Sequence, residues 1–132
     1  MAHKGLELWH QVLSQGNRPA DLAAIIHEDA VFHSPVVHTP QQGRAIVVAY
    51  LAAAGVVFNT DKFRYVREFS EGNQALLEFV TELDGVQING VDIITFDDDG
   101  MIMDFKVMVR PLKAINKVWE TMGAQLEKAK AG

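Results

Sequence analysis

Apolar residues recur first at helical spacing and later at alternate positions, and the change falls near Phe63. Leu6, Trp9 and Leu13, with Leu8 and Val12 beside them, predict an amphipathic helix that stops at Gly16-Asn17. Pro19 opens a second helix carrying Leu22, Ile25 and Ile26, because an N–H in the first turn would be unpaired in any case. Ala30-Val31-Phe32 reads as a short strand ended by Ser34-Pro35, and Thr39 to Gly43 as loop. Arg44 to Ala54 reads as a third helix, ended by Gly55.

Beyond Phe63 the period is two. Phe63, Tyr65 and Arg67 alternate with Arg64 and Val66, and Glu71-Gly72-Asn73 turns the chain. Ala75, Leu77, Phe79, Thr81 and Leu83 form one face of the next strand, which predicts an antiparallel sheet with one buried side. Asp84-Gly85 and Asn89-Gly90 are turn dipeptides, Val91 to Phe96 is a strand, and Asp98-Asp99-Gly100 a tight hairpin into Met101 to Val109. Pro111 starts a last amphipathic helix with Leu112, Ile115, Val118, Trp119, Met122 and Leu126 on its apolar side. Helices followed by a meander and a closing helix mean an α+β fold, and the rich apolar face suggests a curved sheet wrapped around the helices.

Composition narrows the class. With 132 residues the chain makes one domain, residues 1–132, which buries roughly two thirds of its unfolded surface. An apolar share of 48% against 22% charged residues is globular usage and rules out intrinsic disorder. Zero cysteines exclude disulfides, thiolate zinc, iron–sulfur clusters and a thiol nucleophile. A net charge of −5 has the wrong sign for a nucleic-acid or anionic-membrane binder. The apolar runs are too short and mixed to span a bilayer, and Met1 to Trp9 lacks a signal peptide's apolar core. The expectation is a soluble cytoplasmic protein. No P-loop, dinucleotide fingerprint or G-x-S-x-G is present, and no cofactor is expected.

Asp92 is the most informative position. It shares a strand face with Ile94 and Phe96, where an ionised carboxylate is costly, so its pKa should rise or a partner should compensate. A carboxyl kept neutral donates a hydrogen bond to a carbonyl or enolate oxygen. The bland alternative is a carboxylate at a frayed strand start beside Gly90. His33 and His38 flank Ser34 to Val37 and are candidates for general acid–base work at a pocket mouth. Their spacing on a proline-containing loop, with no third ligand, speaks against a metal. Asp97 to Gly100 lacks the alternating ligands of a calcium loop and reads as a solvated turn. Arg110 is assigned a local pairing.

These residues resemble the nuclear transport factor 2-like superfamily, in its ketosteroid-isomerase and SnoaL-like branch. The resemblance is carried by Ala30-Val31-Phe32-His33-Ser34-Pro35, by Gly43-Arg44 opening a helix, and by Val91 through Ile102. It implies a cone-like curved antiparallel sheet around N-terminal helices, a C-terminal helix, a deep apolar pocket and a homodimer formed through the sheet. It also implies isomerase, cyclase, dehydratase, epoxide-hydrolase or purely binding roles. The isomerases' oxyanion-holding aspartic acid falls on Asp92, but their general-base aspartate falls on Ser34. Their oxyanion tyrosine falls on Trp9, or on His10 with the helix slid by one residue, and its supporting tyrosine on Leu51. Steroid isomerisation by that mechanism is therefore not expected.

Strand parity then gives the expected pocket: Phe32, Ser34, Leu77, Phe79, Asp92, Ile94, Phe105, Val107 and Val109, with Trp9 and Leu13 from the first helix. Such a lining suits a small, largely apolar molecule bearing a carbonyl or hydroxyl. An enzyme would use Asp92 as acid or hydrogen-bond donor and His33 or His38 as proton acceptor, in an isomerisation, cyclisation or dehydration. The competing expectation is a non-catalytic binding or dimerisation module, with Asp92 held structurally.

Overall fold

The computed structural model describes residues 3–58 and 60–131. Among them run four helices, α1 (Lys4–Ser14), α2 (Pro19–Ile25), α3 (Arg44–Phe58) and α4 (Leu112–Ala131). Six strands accompany them: β1 (Ile26–His33), β2 (Gln41–Gln42), β3 (Arg64–Glu71), β4 (Gln74–Leu83), β5 (Val86–Phe96) and β6 (Ile102–Arg110). The strands form one curved, unclosed sheet in the order β2-β1-β6-β5-β4-β3. The α+β cone expected from the sequence is the observed architecture, with one amendment. β3 to β6 pair antiparallel, but β1 lies parallel to β6, so the sheet is mixed. Parallel neighbours need a long crossover, and here α3 and the β3–β5 meander supply it.

Element boundaries moved where a glycine serves packing instead of turning. Gly55 does not end α3, which runs on to Phe58. A Cβ at Gly55 would lie 2.6 Å from the Asn17 Cβ, so the glycine admits the α1–α2 connection against α3. Asn17 there donates from Nδ2 to the Leu51 carbonyl at 3.3 Å. Asn89-Gly90 is likewise no turn but the middle of β5. Gly90 lacks a side chain because a Cβ would sit 2.5 Å from Phe79 Cζ and 2.8 Å from the Met108 carbonyl oxygen. The hairpin turn is Asp84-Gly85, with φ of 48° and 82°, the left-handed geometry that such two-residue loops require. At the opposite hairpin Asp97 Oδ1 accepts from the Asp99 and Met101 amides, both at 2.9 Å, a solvated turn as expected. Arg110 donates from Nη1 to Asn89 Oδ1 at 3.1 Å, a local partner that is an amide and not a carboxylate.

A bulge in β3 corrects the parity read for Arg67. Tyr65 pairs with Phe79 and Arg67 with Glu78, so Val66 is the extra residue and the two faces exchange beyond it. Arg67 therefore leaves the face of Tyr65 and meets Glu78 Oε1 at 2.7 Å on the other side. α4 shows a second departure from its predicted stripe. Ala114, Val118 and Met122 are buried, whereas Leu112 and Trp119 are 71% and 64% exposed.

α3 is apolar nearly all round, as a helix covered on several sides must be, and it packs on α2, β1 and α4. The buried side chains fall into two groups. One joins Leu6, Trp9, Phe32, Leu51, Ile94 and Phe105 beneath α1 and α3. The other joins Val57, Phe79, Ile88, Val118 and Met122 beneath α4. The gap between them is the cavity.

Candidate functional site

Three elements contribute one polar group each. Asp92 stands mid-way along β5, with Leu77 of β4 and Val107 of β6 as its cross-strand neighbours. That places it in the sheet's interior, not at a frayed end, and it is 7% exposed. Tyr65 lies just before the β3 bulge, and its hydroxyl donates to Asp92 Oδ2 at 2.6 Å. Trp9 faces inward from α1 and donates from Nε1 to the Tyr65 hydroxyl oxygen at 3.1 Å. This settles the register of the first helix. His10, the neighbouring candidate, is exposed and meets Glu68 Oε1 at 2.6 Å, with its ring edge-on to Tyr65.

Burial sets the electrostatics. It pushes the Asp92 carboxyl from 3.8 up to about 7, against the opposing pull of the Tyr65 hydrogen bond, which favours the ionised form. The Tyr65 hydroxyl is raised well above its ordinary value by burial, and then by the Asp92 charge that its ionisation would face. Near neutrality Tyr65 is thus a fixed donor, and Asp92 is poised between acid and carboxylate. Oδ1 of Asp92 has no protein partner, so in the acid form it is free to donate to a ligand oxygen.

Asp92 and Tyr65 line a cavity of about 180 Å³. Its walls include Trp9, Leu13, Phe32, Ser34, Phe79, Phe105 and Val107, all assigned to the pocket by parity. Aromatic rings dominate it: Trp9 meets Phe105 edge-on at 5.0 Å, Phe32 stacks on Tyr50 at 5.2 Å, and Phe63 stacks on Phe79 at 5.4 Å. Ser34 Oγ accepts from the Val36 amide at 3.2 Å, which leaves its hydroxyl hydrogen to donate.

Leu77 and Ile94 share the predicted face but not the cavity. Both are wholly buried in the core group that contains Leu6 and Leu22. Parity selects a face, and here the face is longer than the cavity. Val109 lines a second, shallower groove with His33, His38 and Lys106. The structure does not bring either histidine into the cavity of Asp92. His33 alternates with Phe32 and Ser34, so its side chain takes the outer side, where Nε2 meets Asp104 Oδ1 at 2.8 Å. The reading that paired a histidine with Asp92 is corrected accordingly.

Sequence reasoning missed Tyr65, the direct partner of Asp92. Its signal was a polar tip on the apolar face shared with Phe63. It also missed the α4 wall, where Val118 and Met122 four residues apart turn one helix face to the cavity.

A curved sheet that encloses an apolar cavity with a buried acid is the architecture of nuclear transport factor 2-like proteins. The model of the SnoaL-like domain family matches residues 6–105. This chain belongs to that family, in the branch that includes the ketosteroid isomerases. A steroid delta-isomerase from Pseudomonas aeruginosa is 36% identical, with a TM-score of 0.90 over 98% of this chain and 93% of that one. An uncharacterised bacterial protein with a cystatin-like fold from Silicibacter pomeroyi DSS-3 is 32% identical, with a TM-score of 0.85 over 93% and 85%. An NTF2-like protein of unknown function from Mesorhizobium loti shares the fold at 22% identity and a TM-score of 0.68, over 81% and 91%. Among curated proteins none matches this chain.

Proposed function

We propose that this protein binds a small, largely apolar molecule whose carbonyl or hydroxyl oxygen accepts a hydrogen bond from Asp92. The observation that carries this reading is the Trp9–Tyr65–Asp92 chain ending in an aromatic-walled cavity. An apolar cavity with few, convergent polar groups and a perturbed acid is the usual makeup of a ligand site. The 36% identity to a steroid delta-isomerase supports a cyclic ketone as the ligand type.

The chemistry follows from the carboxyl. In its acid form Asp92 polarises a carbonyl; in its ionised form it accepts a proton from a neighbouring carbon. A group balanced near neutrality does both within one cycle. We infer a cofactor-free isomerase, cyclase or dehydratase in which Asp92 moves the proton and Tyr65 holds the carboxyl in place. A second reading, a binding module without turnover, is favoured by Ser34. A serine without an activating base is no proton acceptor at neutral pH, and the cavity walls carry no histidine or lysine.

The test is a thermal-shift screen of wild type and Asp92→Asn against cyclic ketones, terpenoids and aromatic polyketides at pH 6. Ligand at 100 times its Kd adds about 2.7 kcal/mol to the folded state, several degrees for a chain of this size. A shift in wild type that Asp92→Asn loses is expected. Equal shifts in both would remove Asp92 from recognition, and binding without turnover of any hit would leave the module.

A further inference from the structure

The cavity reaches from Asp92 to a helix whose outward side is built unlike a packed surface. Val118 and Met122 of α4 close the wall, and beside them Trp119 and Gly123 also line the cavity. Trp119 is nevertheless 64% exposed, a large ring that packing alone leaves without cover. Gly123 lies well inside α4, where glycine weakens a helix relative to alanine. Packing does not require it: a Cβ built there meets no atom within 4 Å. This is the reverse of Gly55 and Gly90, whose added Cβ atoms would collide. Positions four apart share one helix face, so an uncovered indole and an open slot stand side by side at the cavity's edge. Across from them Val37, 39% exposed, supplies another apolar rim residue.

We propose that Trp119 and Gly123 determine how long a ligand the protein takes: its oxygen is held at Asp92, and its far rings leave the cavity along the slot at Gly123, covered by the Trp119 indole. The inference rests on the ligand-binding reading above and adds to it the ligand's shape, an elongated fused-ring molecule oxygenated at its inner end. A one-ring ketone satisfies Asp92 without touching α4, whereas a four-ring ketone needs both ends.

Titration calorimetry with cyclohexanone, decalone and androstenedione tests it. Wild type should bind with affinity rising along that series. Trp119→Ala should weaken androstenedione by roughly two- to tenfold, as loss of an aromatic contact does, and leave cyclohexanone unchanged. Gly123→Leu should raise the melting temperature by improving the helix, yet weaken androstenedione by about fivefold or more by filling the slot. Because this variant is expected to fold better, its loss of binding is not a folding defect. Asp92→Asn should weaken all three ketones alike. Androstenedione affinity unchanged in Trp119→Ala and Gly123→Leu, but lost in Asp92→Asn, overturns the slot and leaves the site reading standing. No binding of any ketone by wild type overturns both. Loss of self-association in Trp119→Ala with unchanged ketone affinity would assign the rim to a second copy of the chain and overturn the inference.

Discussion

Two opposed influences meet at Asp92, and burial outweighs the Tyr65 hydrogen bond. The sign of the resulting pH dependence follows directly. With a folded value near 7 and an unfolded value of 3.8, the folded chain keeps a proton across that interval which the unfolded chain has released. Stability is therefore highest below the interval, decreases as pH rises through it, and levels off above. The whole difference amounts to about 4 kcal/mol. Asp92→Asn still offers Tyr65 an acceptor and cannot ionise. Urea denaturation at pH 5 and pH 8 should show wild type losing stability between the two while the variant loses markedly less. Equal losses would place the dependence at other groups. Asp92 was legible in the sequence because a charge on an apolar strand face is anomalous, whereas Tyr65 was not, since tyrosine is at home on such a face. The two histidines were chosen for their chemistry alone; with Phe32 and Ser34 assigned inward, alternation already turned His33 outward.

At the scale of elements, the period of the apolar pattern located the helices and most strands, because burial of one face is what selects both. Glycines were the weak point. Sequence cannot distinguish a glycine that bends the chain from one that admits a neighbour, and Gly55 and Gly90 are of the second kind. Gly90 matters most for the site, since it lets Phe79 lie against β5 two residues from Asp92. Gly90→Ala should cost roughly 1–3 kcal/mol by overpacking, read as a lowered urea midpoint with an unchanged slope. A neutral effect would mean that Phe79 has another place to go and that its position in the cavity wall is not fixed by β5. The β3 bulge was equally invisible, because the apolar pattern of the strand is too mixed on either side of Val66 to mark a change of register.

For the molecule as a whole, the fold class was legible and the cavity only in part. Parity identified the inward face, but where helices fill it and where they leave a gap depends on three-dimensional packing of α1, α3 and α4. The outer face of the sheet raises a further point. It exposes Phe69, Met108 and Val66, at 61%, 51% and 44%. We propose that this face pairs two copies, as the family resemblance implies. No helix among the described residues is long and apolar enough to cross a membrane, so a bilayer-spanning role for such residues has no support from the helices. Light scattering at micromolar concentration should give a dimer for wild type and a monomer for Met108→Asp, whose buried, unpaired charge the interface would not tolerate. A monomeric wild type would sink that arrangement.

The most direct single measurement is the carboxyl pKa of Asp92 itself, from the pH dependence of its side-chain carbon-13 chemical shift, with Asp92→Asn to assign the signal. A midpoint near 7, as burial implies, would establish an acid able to donate to a ligand oxygen close to neutrality. A midpoint near 4 would mean that Asp92 is an ordinary ionised carboxylate at neutral pH, and both the hydrogen-bond donor and the proton shuttle would be lost with it.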